Sequence, residues 1–151
     1  MKISVLSYSF RGLLAAGKMD VCGYLETCRY RYGLGGADIW NGFLPTTDEA
    51  FLTKIREALD AREMVLADLC VDKAHLWEDD PKVREGNYRN ALAHLRAAEI
   101  LGARFMRVDA GGRGDTWSDE QFDYIVVHYQ EYAQWAWDHG FKAGAENHWG
   151  A

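Results

Sequence analysis

Short β-rich runs alternate with longer helical patterns along the 151 residues of this chain. This alternation constrains the fold more than any other feature, because it is the signature of βαβ units and a parallel sheet. The pattern predicts strands at 3–10, 37–40, 64–71, 104–109 and 141–147. Their starts recur on average in the mid-thirties, near the roughly 30 residues per unit of a ~250-residue eightfold barrel. About five of eight such units fit a chain of this length, so the expected fold class is α/β, a single partial barrel of parallel β/α units spanning residues 1–151. A doubly wound open sheet shares the alternation, and periodicity does not separate the two.

The helices between these strands carry their own start and stop signals. Asp20 precedes an apolar set at Val21, Tyr24, Leu25, Cys28 and Tyr32, closed by Gly33 and Gly35-Gly36. Thr47 or Asp48 caps a helix whose apolar face is Phe51, Leu52, Ile55 and Leu59. Asp80 followed by Pro81 opens the next, which stops at Gly102. Ser118 with Gln121 forms a capping box ahead of Phe122, Ile125, Val126, Tyr129, Ala133 and Ala136, and Gly140 closes that helix. Tyr129, Trp135 and Trp137 are expected to pack helix against sheet, and His94, His128 and His139 to face solvent or caps.

Composition removes several classes of function. Nearly half the residues are apolar, so the chain should bury a core rather than remain disordered. A net charge of -6 provides no basic stripe for a phosphate backbone and argues against a nucleic-acid partner. Cys22, Cys28 and Cys70 show neither CxxC pairing nor framework spacing, and read as free core thiols. The opening residues lack a signal-peptide pattern and no segment reaches the length of a membrane span, so a cytoplasmic protein without membrane contact is expected. Gly111-Gly112-Arg113-Gly114 lacks the following helix and the Lys-Ser or Lys-Thr pair of a phosphate loop, and reads as an ordinary loop.

The candidate chemistry lies at the carboxyl ends of the strands, where barrel enzymes place their sites. Side chains alternate across a strand, so Glu146 and His148 point the same way, and a carboxylate beside an imidazole there can bind a divalent metal or move a proton. Two polar residues at an exposed strand end are the plain alternative. Arg107 and Asp109 share a face in the same manner, either as a structural ion pair or with Asp109 meeting a sugar hydroxyl. His75, in the loop after the third strand, is a candidate substrate contact, while Asp72 beside it is read as a local turn or cap. Trp40 ends the second strand and could stack on a sugar face; Tyr8 is read as core filling.

Taken in order, Gly36-Ala37-Asp38-Ile39-Trp40, Arg107-Val108-Asp109-Ala110-Gly111-Gly112 and Ala145-Glu146-Asn147-His148-Trp149-Gly150 resemble the strand-end motifs of the sugar phosphate isomerase/epimerase family, the xylose isomerase-like TIM barrels. The Glu-Asn-His motif is the most specific part. The resemblance implies that Glu146 ligates a divalent metal (Mn, Mg, Co or Zn) and serves as an acid/base, and that His148 lines the pocket for a small sugar or polyol. It also implies that the metal site is completed by an aspartate, a histidine and a second glutamate from later strands. The sequence ends at Ala151 before any of them, so the chain is expected to be the N-terminal portion of such a barrel, inactive alone. The implied reaction of the whole protein is isomerisation or epimerisation by proton transfer next to a carbonyl. A dehydratase of the same barrel family and a non-catalytic half-barrel for binding or assembly are the alternatives. Unpaired strand edges would favour a homo-oligomer.

Overall fold

A computed structural model describes residues 3–111 and 116–146. A 3-10 turn, Ser7–Phe10, runs into a short helix α1, Arg11–Ala15. Helix α2, Val21–Glu26, continues as a π-helical turn over Thr27–Arg31, and strand β1 follows at Gly36–Trp40. After a 3-10 turn at Asn41–Phe43 come α3, Glu49–Ala61, and β2, Val65–Val71. The rest is α4, Pro81–Leu101, then β3, Phe105–Asp109, then α5, Asp119–Asp138, and β4, Lys142–Glu146.

The capping chemistry explains where the helices start. Asp20 accepts the Gly23 N–H at 2.8 Å, Asp80 accepts the Lys82 N–H at 2.8 Å, and the reciprocal Ser118–Gln121 box is formed. Each satisfies amide donors that have no partner inside the helix. Asp48 is the N-cap of α3, without a side-chain bond. Gly102 ends α4 in the left-handed region at φ 64°, where a side chain would be strained.

The four strands pair in the order β1-β2-β3-β4, and every pair is parallel. The order never reverses, so each connection steps one strand in the same direction, which is the winding of a barrel and not of a doubly wound sheet. Right-handed crossovers of this kind place their helices on one face. That face carries Ala37, Ile39, Leu66, Leu69, Val71, Met106 and Val108, all buried in a single core with Tyr24, Leu25, Leu52, Leu59, Leu95, Leu101, Ile125 and Tyr132 of the helices.

The segment 3–10, predicted as a strand, makes only one parallel bridge, Leu6 to Asp38, before turning at Ser7. The cause lies along the free edge of β1. The Trp40 N–H donates to Ser7 Oγ at 2.8 Å, and the Asp38 N–H donates to the Tyr24 hydroxyl at 3.0 Å. That hydroxyl in turn donates to the Val5 carbonyl at 2.6 Å. Side chains thus take the backbone groups that a continuous ladder would have used.

Two helix readings also change. His94 is buried and bonded through Nδ1 to the Asn90 carbonyl rather than facing solvent, and burial pulls its imidazole below the ordinary range. Trp137 is 70% exposed and does not pack on the sheet. With Phe122 it marks a flank of α5 turned away from α4, which meets the opposite side through Tyr88 against Tyr132 and His128.

Candidate active site on the helix-free face of the sheet

The face of the sheet opposite the helices is polar. Paired residues of parallel strands point to the same side, so the register defines layers across it. Asp38, Asp68, Phe105 and Lys142 form the lowest, and Trp40, Cys70, Arg107 and Gly144 the next. Asp109 and Glu146 pair above them at the carboxyl ends.

Arg107 is the centre of this face. Its Nη1 lies 3.3 Å from Asp109 Oδ1, and the same nitrogen forms an ion pair with Glu146 Oε2. Gly144 lies directly across from Arg107 on β4, and a Cβ there would stand 2.8 Å from the Phe105 ring, so glycine makes room for that ring. Alternation along β3 joins Arg107 to Asp109, and the register of β3 with β4 sets Glu146 beside them.

Trp40 reaches the same end of the sheet, where its indole Nε1 donates to Asp72 Oδ2 at 2.7 Å. The Asp72 carboxylate therefore bonds across the strands and is not the local turn or cap expected from sequence. His75 lies in the loop after β2, with Nε2 at 2.5 Å from Glu78 Oε1, and its carbonyl accepts from Asn87 Nδ2 at 3.2 Å. It belongs to the loop that meets β3's end through the Trp77–Gly111 bridge. His148 lies outside the described residues.

Asp38, Asp68 and Cys70 were missed by the sequence reading although all three project from this face. Ser4 donates to Asp38 Oδ2 at 2.5 Å. Asp68 accepts from the Cys70 thiol at 3.2 Å through one oxygen, while Oδ1 is buried with no hydrogen-bond partner among the described residues. Burial raises the Asp68 carboxyl above the usual range, and burial together with the Asp68 charge pushes the Cys70 thiol up to about 12. A thiol held protonated in this way is not a nucleophile at neutral pH.

No protein-family model matches the sequence, and no curated protein matches it. Solved structures do match the fold. The AsbF protein of Bacillus anthracis, assigned as a 3-DHS dehydratase, superposes with a TM-score of 0.71 at 17% identity, over 98% of this chain and 53% of its own. D-psicose 3-epimerase of Clostridium cellulolyticum gives a TM-score of 0.71 at 15% identity, over 95% of this chain and 51% of its own. A xylose isomerase-like TIM barrel fused to a 4-hydroxyphenylpyruvate dioxygenase gives 0.71 at 17% identity, over 99% of this chain and 23% of its own. The fold is that of a xylose isomerase-like TIM barrel. The chain spans about half the length of the dehydratase and the epimerase, and forms an incomplete barrel.

A metal is implied by resemblance to such barrels, and the residues can be tested for it. Among the described residues no group of three or more His, Cys, Asp and Glu side chains is placed to hold an ion, and the Glu146 carboxylate is paired with Arg107. The described residues alone do not form a metal centre. No helix among them is long and apolar enough to cross a membrane.

Proposed function

We propose that this chain supplies one wall of the active site of a sugar or polyol isomerase or epimerase, with Glu146 as the residue that moves a proton at a carbon next to a carbonyl. The observation that carries the reading is the placement of Glu146 at the carboxyl end of a parallel barrel strand, on the helix-free face, beside Arg107 and Asp109. A carboxylate in that position can hold or deliver a proton, Arg107 fixes its orientation, and Asp109, Trp40 and His75 bound the space around a hydroxylated substrate. His148 is assigned to the same pocket. An epimerase among the matched structures supports this class, and a dehydratase among them supports elimination of a hydroxyl by the same carboxylate as the second reading.

A divalent cation (Mn, Mg, Co or Zn) would have Glu146 as one of its ligands, with the others from outside the described residues. The whole protein is assigned to the cytoplasm, with a small sugar or polyol as substrate and neither nucleic acid nor membrane as partner. The chain alone is assigned no turnover, and a non-catalytic binding or assembly role is the outcome if the test below fails. That test is manganese titration of the 15N-labelled chain. Mn(II) is expected to broaden amide resonances at the ends of β3 and β4 selectively in the wild type and at much higher concentration in Glu146→Gln. Equal broadening in both would remove Glu146 from the metal site.

β4 is an outer strand of the described sheet, and Phe122 and Trp137 of α5 are exposed. An outer strand that pairs on one side only among the described strands, with an exposed apolar flank, favours self-association. The apparent mass in size-exclusion chromatography should rise with concentration and fall back in Trp137→Glu; a constant monomer mass contradicts it.

A further inference from the structure

Asp72 enters none of the roles above. It follows directly on β2, whose last pairings are Cys70 with Arg107 and Val71 with Val108, so it stands at the level of Asp109 and Glu146 in the next two strands. Strands lie about 4.8 Å apart, which puts the backbones of Asp72 and Glu146 roughly 10 Å apart with Asp109 between them.

Asp72 is held at its side chain by one bond and at its backbone by several. Trp40 Nε1 bonds Oδ2 at 2.7 Å. Asn41 clamps the backbone, accepting the Asp72 N–H at 3.0 Å and donating to the Asp72 carbonyl at 3.2 Å, and Asn90 donates to the same carbonyl at 3.1 Å. Trp40 is itself fixed. Tyr8 packs edge-on with centroids 4.9 Å apart, Phe43 approaches at 6.4 Å, and a Cβ on Gly42 would fall 2.3 Å from the indole ring.

We infer that Asp72 is a specificity-determining residue of the proposed sugar site, its carboxylate aimed at a substrate hydroxyl, and that Trp40 is the positioning residue that holds it. The inference rests on the proposed function. The indole N–H occupies one carboxylate oxygen, which leaves the other as an acceptor among the described residues, and an ionised acceptor makes the stronger kind of hydrogen bond to a hydroxyl. Preset geometry keeps that bond from costing side-chain entropy when the ligand arrives. The ligand chemistry that fits is an uncharged polyhydroxylated molecule, because a phosphate or carboxylate at this end would meet Asp72, Asp109 and Glu146 with Arg107 already engaged by two of them.

The test uses the full 151-residue chain, D-fructose as the probe, and the Trp40 indole N–H cross-peak as a spectroscopic readout. Fructose should shift that cross-peak in the wild type. Asp72→Asn should weaken fructose binding about tenfold with the amide spectrum otherwise preserved. Gly42→Ala, which displaces the indole without touching the carboxylate, should weaken it as well. Wild-type binding that both Asp72→Asn and Gly42→Ala leave within twofold overturns the role of Asp72 while sparing the proposed function. Absence of fructose binding by the wild type overturns the role of Asp72, whereas the manganese titration decides Glu146.

Discussion

Tyr24→Phe is expected to lower folding stability by about 2 kcal/mol, while the same change at Tyr132 is expected to be neutral or slightly stabilising. Both side chains are fully buried, so loss of apolar area does not separate them. Their hydroxyls do. The Tyr24 hydroxyl accepts from the Asp38 N–H and donates to the Val5 carbonyl, and its removal leaves two backbone groups without partners at the edge of β1. The Tyr132 hydroxyl is buried with no hydrogen-bond partner among the described residues, so its removal relieves a desolvated polar group. Denaturant midpoints read the difference, and faster amide exchange at Asp38 in Tyr24→Phe locates it. Equal losses at the two positions would mean that Tyr24 does not fasten the first segment to the sheet.

Arg107→Met should be the most damaging change on the helix-free face. The guanidinium is 16% exposed and lies against two carboxylates, Asp109 at 22% and Glu146 at 32%. Removing one partner of a fully buried pair costs about 3–5 kcal/mol, and partial exposure of these side chains brings the expectation to about 2 kcal/mol. Methionine preserves the volume of the stem, so the loss reports charge and not packing. Two like charges would then stand opposite each other on adjacent strands, a repulsion that added salt screens. The variant should recover part of its stability between low and high salt, where the wild type changes little. A loss below about 0.5 kcal/mol, or one indifferent to salt, would contradict the central position given to Arg107.

The extent to which the fold was legible in the sequence follows from which signals are local. The caps at Asp20, Asp80 and Ser118 depend on side chains within three residues of the amides they satisfy, and all three stand where the sequence places them. The first strand depended on the far side of the chain. Ile3 to Phe10 has a strand-like composition, but Ser7 and Tyr24 take the hydrogen bonds along β1 from 33 and 14 residues away, separations that leave no periodic trace. The parity of β3 is regular, and it correctly joined Arg107 to Asp109. In β2 the register slips opposite Ala37 and Asp38, so Leu66 and Leu69 both enter the core and alternation fails. That irregularity hid Asp68 and Cys70, and with them the cross-strand reach of Asp72. Asp38 and Trp40 lie on a regular strand, and the alternation used at Arg107 would have found them together on this face. The choice between barrel and open sheet waited on the strand order, which no single segment encodes.

The claim on which the rest depends is that Glu146 and Asp109 are register partners on the same face of parallel strands. Disulfide trapping measures this directly, since neighbouring strands bring Cα atoms within the roughly 4.4–6.8 Å a disulfide requires. Asp109→Cys with Glu146→Cys should cross-link under mild oxidation, with the linked peptides identified by mass spectrometry, and Asp109→Cys with Ala145→Cys should not. Preferential trapping of the second pair, or of neither, would place Glu146 elsewhere and end its assignment to the site.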